Sequence, residues 1–487
     1  MCRASSIDEV DYVAFKSGTS RLPLREQTPC KAPILLLILL ILLSVGVHAS
    51  KEALVPSEPA LEKLGLSPSL YAILNILPVA FGLISPFAWG TLYDRSPSVC
   101  FICAPLGELL AATLTALGLH VLAEGGRVFV AGACLACGLL LSSACRPGIT
   151  IAAFTTVGRV CGSNSKYSMF AFGSLVLAKH SMSSVTSWLV PLILQGARAV
   201  AHGGFETILH VQLAVMIPHA IALTAGVALA ALHGPFIVPL ADAFAEAAEA
   251  TTVPGADSVG TLKPGPSAPS DDALYIESGR CDTQYPKGSK ARREAGWNAV
   301  LLLGLWRALE VGTLHALHIM RVELTMALCR LSIVDTGRII ALNDAGAMAA
   351  MPLLAWHVGS SSMRRIFVLF VWIPVLSLAA VMALAADPGY FSVIDRVALF
   401  LISLLEVSAP VLPLALLPAS VATARAGRAG SAYGVLESVF IGMQIGMIAV
   451  LGVLREGNPE SFASSLAFTA GGFAAAAAVG LLLRLTL

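Results

Sequence analysis

Apolar runs long enough to cross a lipid bilayer recur twelve times along this chain, and they constrain its fold more than any other feature. A helix needs about 20 apolar residues to span the hydrocarbon core. Runs near that length fall at 33–50, 70–92, 98–121, 127–156, 168–194, 208–238, 296–320, 333–357, 364–385, 392–420, 430–454 and 462–487. The chain is 56% hydrophobic and 13% charged, so much of its apolar surface must face lipid. Backbone in lipid has to satisfy its own hydrogen bonds, which makes these runs helices. The period-two alternation of a β-barrel is not sustained anywhere. The expected fold class is therefore all-α: a polytopic membrane protein with twelve transmembrane helices in two six-helix pseudo-repeats.

The intervals between the runs set the domain plan. Residues 1–32 read as a cytoplasmic N-terminal segment, 33–240 as a six-helix bundle, 241–294 as a cytoplasmic linker and 295–487 as a second bundle. The stretch Lys263-Pro264-Gly265-Pro266-Ser267 lacks the apolar content to pack, so a flexible linker is expected there. Ile34 to Val47 follows a long polar leader and reads as an uncleaved first span rather than a signal peptide. Basic residues concentrate in the segments that are inside when the N-terminus is inside, Arg95, Arg159, Arg364 and Arg365 among them. Both termini are thus expected in the cytoplasm. On this map Arg321 falls in an outer loop. A net charge of +1 gives a nucleic-acid role no support, and membrane lipid is an expected partner.

The span Gly90-Thr91-Leu92-Tyr93-Asp94-Arg95 resembles the signature loop of the major facilitator superfamily, which joins the second and third spans on the cytoplasmic side. Further stretches resemble one branch of it, the lysosomal dipeptide transporters: Leu70-Tyr71-Ala72 to Pro78, Gly126-Arg127-Val128-Phe129, Phe172-Gly173-Ser174-Leu175 to Lys179, Ile340-Ala341-Leu342-Asn343 to Pro352, and Gly430-Ser431-Ala432-Tyr433-Gly434. At 179 that branch carries Arg. The resemblance implies alternating access, a uniport mechanism, dipeptide cargo, a lysosomal membrane and a glycosylated accessory membrane protein that shields the transporter. The chain itself contains no Asn-x-Ser/Thr sequon, which makes such a partner physically sensible. No acidic dileucine sorting signal stands in the leader, so the plasma membrane is the alternative location.

Ionisable residues inside a membrane are costly and usually face a cavity or a partner. The first half carries Arg146 and Lys179, with Glu108 as an exception. The second carries Asp344, Glu406 and Glu437. A solute held between the halves would meet cations on one side and carboxylates on the other. That field suits a zwitterion, with Lys179 or Arg146 on its carboxylate and Glu406, Glu437 or Asp344 on its amine. Arg307 and Glu310, three apart on one helix, read as a structural pair or gate. Asp94 is expected to face the N-terminus of the eleventh span near Gly430-Ser431, where the helix dipole would hold it as a latch, and Arg95 stands beside it in the same loop. His48 reads as an interfacial residue.

Other features carry less. Cys100-x-x-Cys103 and Cys134-x-x-Cys137 lie on apolar runs and read as packing residues rather than zinc ligands. Pro410, Pro413 and Pro418 should kink the tenth span, and Pro147-Gly148 could break the fourth. Gly442 and Gly446 form a GxxxG pattern expected to pack helices closely. No nucleotide-binding, Ser-His-Asp or His-Glu-x-x-His motif is present, so neither an enzyme nor an ATP-driven pump is expected, and no cofactor or metal. The alternatives are a carrier for sugars, nucleosides or organic anions, and a non-transporting membrane receptor or scaffold.

Overall fold

The computed structural model describes residues 31–45, 68–123, 127–161, 167–181, 204–239, 241, 290–329, 333–361, 363–386, 392–424, 428–457 and 462–486. Nearly all of them are helical. The helices are α1 (Lys31–Val45), α2 (Pro68–Arg95), α3 (Pro97–Ala123), α4 (Val128–Cys161), α5 (167–181), α6 (Gly204–Leu232), α7 (Lys290–Cys329), α8 (Ile333–Gly359), α9 (Met363–Ala386), α10 (Val393–Ser408), α11 (Val411–Ala424), α12 (Ala429–Gly457) and α13 (Ala463–Thr486). Helices α10 and α11 share the tenth span. Among the described residues nine spans are long and apolar enough to cross a membrane, and α1, α2 and α5 fall on the three remaining runs. Large apolar side chains point outward from many helices; Ile84 is 70%, Phe129 86% and Leu353 75% exposed. A surface of this kind belongs in lipid, so the protein is an integral multi-pass membrane protein.

Most packing is within each half. In the first, α3 lies against α4 and α6, α2 against α4, and α1 against α6. In the second, α7 packs on α11, α12 and α13, α8 on α10, and α9 on α13. The halves meet where α12 lies along α2 and where α4 touches α11 and α12. Trp306 of α7 illustrates the interior: it is fully buried, stacks edge-on against Phe370 at 4.6 Å, and donates its indole N–H to the Phe370 carbonyl at 2.8 Å. That bond satisfies a polar group which lipid could not.

Helix α4 runs unbroken through Pro147-Gly148, contrary to the break its sequence allows. Proline removes the bond that would reach the Ser143 carbonyl. Ser85 of α2 donates its hydroxyl to that carbonyl at 3.3 Å, and Trp89 donates its indole N–H to the next one, Ala144, at 2.6 Å. A side chain at Gly148 would run into the Trp89 ring. The pair Pro147-Gly148 thus makes a socket for α2 rather than an end to α4. The tenth span does break, between Ser408 and Val411 across Ala409-Pro410. Its N-terminal start is fixed by a capping box in which the Ser392 hydroxyl accepts from Asp395 N at 3.3 Å and Asp395 accepts from Ser392 N at 2.7 Å.

Several boundaries differ from the sequence expectation. Helix α4 extends to Cys161, and α7 begins at Lys290 and continues to Cys329, nine residues past the expected end at 320. Of the 241–294 segment, only Ala241 and the first turn of α7 lie within the described residues, and His48 lies outside them. A Cβ at Gly442 would press on Leu83 of α2, while among the described residues one at Gly446 would meet nothing within 4 Å; of the GxxxG pair, Gly442 is the one seen in close packing.

Candidate functional site

Three groups of buried charge lie between the helices, and a fourth closes one end of the molecule. That end begins with Asp94 at the C-terminus of α2. Its Oδ1 accepts from Gly430 N at 2.8 Å, and its Oδ2 accepts from Ser431 N at 2.8 Å and Ser431 Oγ at 2.7 Å. These are the orphan donors of the first turn of α12, so one carboxylate caps a helix of the other half. Arg159, at the end of α4, reaches Oδ1 at 3.3 Å and lies 5.2 Å from the Tyr93 ring. The approach depends on glycine: a Cβ at Gly90 or at Gly430 would strike the other's carbonyl oxygen. Phe154, Phe172 and Tyr433, from α4, α5 and α12, cluster behind it with centroids 5.7–6.3 Å apart. Arg95 is exposed and takes no part in these bonds.

The largest buried network lies among α7, α8 and α10. Arg321, 2% exposed, donates to Asp344 at 2.6 Å and to Ser403 at 2.9 Å, and lies 3.7 Å from Glu406. Glu406 also meets His318 Nδ1 at 3.0 Å. His315 follows at 6.5 Å from His318, and His180 of α5 at 6.3 Å from His315. Asp344 and Glu406, expected to meet a solute directly, are both held by Arg321. With neutral imidazoles the cluster has one carboxylate more than it has cations. One further positive charge at the cluster would complete the balance.

Sequence reasoning placed Arg321 in an outer loop, and the structure corrects this. Residues 320–329 contain no Gly or Pro and keep apolar residues at helical spacing, which was the available signal. The span had been cut at the length of a bilayer, whereas the helix continues. His315 and His318 also went unread, although both fall one turn or less from Arg321 or each other on one face of α7.

The other two groups re-pair the expected residues. Arg307, 3% exposed, bonds Glu437 of α12 at 2.8 Å, with its guanidinium 4.7 Å from the centre of the Phe440 ring. Glu310, expected beside Arg307, instead accepts from Ser377 of α9 at 2.6 Å. Glu437 is 5% exposed and so does not snorkel to the interface. In the first half, Ser142 bridges Glu108 (3.0 and 3.1 Å) and Arg146 (2.7 Å), with Arg146 Nε 3.8 Å from Glu108. Arg146 is thereby balanced within its own half. Lys179 is half-buried on α5, beside His180.

Among the described residues no group of three His, Cys, Asp or Glu is placed to hold a metal ion. Cys103 and Cys137 are exposed on α3 and α4 and unpaired.

No family model and no curated protein matches the sequence. Solved structures do match in shape. The chain is similar to the E. coli fucose:proton symporter, with a TM-score of 0.57 and 14% identity over 93% of this chain and 98% of that one. It is similar to a bacterial homologue of the iron transporter ferroportin in an outward-facing state, with a TM-score of 0.59 and 12% identity over 92% and 99%. A structure described as a major facilitator superfamily transporter in the outward conformation gives 0.56 and 14% over 93% and 98%. Near-complete coverage of both chains at such low identity speaks to architecture, and the architecture of this membrane protein is the major facilitator superfamily fold.

Proposed function

We propose that the protein is a secondary transporter working by alternating access, with dipeptides or related zwitterionic amino-acid-derived solutes as cargo. The observation that carries this reading is the set of buried and half-buried charged and imidazole side chains on helices of the two halves: Arg321, Asp344, Glu406 and His318 in the second and Lys179 and His180 of α5 in the first. A bundle with no solute to bind has no reason to keep such groups in lipid. The surplus carboxylate offers a place for an amine, and a cation on α5 offers one for a carboxylate. Asp94 is the latch: with it engaged on α12, one end of the molecule is shut. Breaking that contact accompanies the rocking of the halves.

The His318–Glu406 pair supports a second reading, in which one proton travels with the solute, since an imidazole hydrogen-bonded to a carboxylate is a group that can carry a proton. We place the termini and the Asp94 end in the cytoplasm, the 241–294 segment between the halves as a linker, and the protein in a lysosomal or related membrane, with a glycosylated accessory membrane protein as partner.

Uptake into proteoliposomes tests the reading, using dipeptides, their N-acetylated and C-amidated forms, free amino acids and hexoses at several pH values. Free dipeptides should be carried best, and blocking either end should weaken transport, because each block leaves a buried charge without its partner. Equal competition by hexoses or by doubly blocked peptides would replace this reading with the sugar or nucleoside one.

A further inference from the structure

In the network around Arg321, the group that open space reaches is an imidazole. The His318 side chain is 39% exposed, against 19% for Asp344, 6% for Glu406 and 3% for Arg321. Its neighbours Leu314, Ala316 and Leu317 on α7 are buried, so His318 stands at a local opening. Its Nδ1 lies 3.0 and 3.1 Å from the two oxygens of Glu406. An ionised carboxylate only accepts hydrogen bonds, so Nδ1 carries the hydrogen and Nε2 of the neutral ring keeps a lone pair. The two ring nitrogens point away from each other. Nε2 is therefore turned from Glu406 to the opening, and among the described residues the bond to Glu406 is the hydrogen bond His318 makes.

The charges favour the same place. Asp344 is matched by Arg321 at 2.6 Å, whereas Arg321 lies 3.7 Å from Glu406. The less compensated carboxylate is thus Glu406, behind the ring. A solute ammonium touches that carboxylate only by displacing His318. It reaches Nε2 directly, and the negative charge behind the ring strengthens Nε2 as an acceptor.

We infer that His318 is the residue that contacts the solute's amine, accepting its N–H at Nε2, and that Glu406 is a positioning residue which fixes the tautomer and supplies the charge. The inference rests on the transporter reading and sharpens it, since sequence reasoning assigned the amine to Glu406, Glu437 or Asp344. A proton on Nε2 turns the acceptor into a donor, so proton and amine exclude each other there. The groups that face His318 are Glu406 of α10, Asp344 of α8, Arg321 and His315 of α7 and, beyond His315, His180 with Lys179 of α5.

The test measures binding of alanyl-leucine and N-acetyl-alanyl-leucine to the purified full-length protein from about pH 7 to about pH 5, where the free amine stays charged. In the parent alanyl-leucine should bind better, and its advantage should shrink as the pH falls. His318→Asn puts an amide nitrogen where Nδ1 stood and keeps the bond to Glu406, but it leaves the place of Nε2 empty. It should weaken alanyl-leucine about tenfold or more, the effect of losing one hydrogen bond to a charged group, and flatten the pH profile, while the acetylated probe changes little. Glu406→Gln keeps the imidazole and should also weaken the free amine alone; a purely structural role would weaken both probes. Thermal unfolding checks that each variant is folded, and the parent's pH profile tests the assignment without any variant.

A folded His318→Asn protein that keeps the parent's preference for the free amine overturns the assignment and leaves the transporter reading standing. Parent binding that holds steady as the pH falls does the same. Binding that strengthens also overturns it, and would mean that the proton enters with the solute. A parent that neither binds nor carries dipeptides sinks both the assignment and the reading beneath it.

Discussion

Replacing Asp94 by Asn perturbs the closed end while keeping its shape. The carboxylate accepts three hydrogen bonds from α12 at 2.7–2.8 Å and pairs with Arg159 at 3.3 Å. An amide keeps one oxygen. If that oxygen stays on Gly430, the amide nitrogen faces the two donors of Ser431, and donor meets donor. A hydrogen bond to a charged acceptor contributes about 1.5–3 kcal/mol, and an anion at a helix N-terminus about 0.3–1 kcal/mol, rising to about 2 when partly buried. When the two ends separate, water solvates the carboxylate and recovers part of this. A net shift of about 2–3 kcal/mol against the closed end remains, which is about 30- to 150-fold in the equilibrium between conformations. Distance measurements between probes at Ser98 and Arg428, at the starts of α3 and α12, should show one short distance in the parent and a population of longer ones in the variant. Uptake should slow more than solute binding weakens, because the residue acts on the conformational equilibrium. Unchanged distances, or binding lost in proportion to rate, would refute the latch and make Asp94 a direct solute contact.

Gly90→Ala attacks the same contact by shape, since its Cβ meets the Gly430 carbonyl; it should cost about 1–3 kcal/mol and shift the same distances, with no loss of solute affinity. Arg321→Ala strands Asp344 and Glu406 without their shared cation and should destabilise by about 3–5 kcal/mol, read as thermal unfolding in detergent; adding Asp344→Asn should recover part of that, and no recovery would argue against a shared cation. Lys179→Ala should abolish uptake in a protein that still inserts and folds, and Lys179→Arg should retain activity; uptake by the Ala variant at parental rate removes Lys179 from the site. Glu310→Gln should leave stability and transport near the parent, because Glu310 is held by the Ser377 hydroxyl and a carboxamide can accept the same bond; a large loss would mean that its negative charge is used.

What the sequence reveals and what it hides separate along a physical line. A run of apolar residues as long as a bilayer is thick is a local signal, and lipid allows it only one backbone structure; the helices and the multi-pass fold follow from that. Asp94 was legible for a related reason, since a lone carboxylate at the mouth of the bundle must meet a donor and a helix N-terminus supplies several. Pairings inside the bundle are tertiary, and local spacing misleads. Arg307 and Glu310 share a helix face, yet α12 claims one through Glu437 and α9 the other through Ser377. Arg146 was assigned to the solute, but α3 supplies Glu108 one layer away. Arg321 was lost to the assumption that a helix stops where lipid does. What remains is smaller than the sequence suggested and more specific. Once Arg146 is cancelled by Glu108, Glu437 by Arg307, and Arg321 is shared by Asp344 and Glu406, the broad division of charge between halves narrows to a carboxylate surplus of one in the Arg321 network, with Glu310 held apart by Ser377. A surplus of one is the right size for one ammonium group or one proton, and a site that can take either is how a carrier would couple the two.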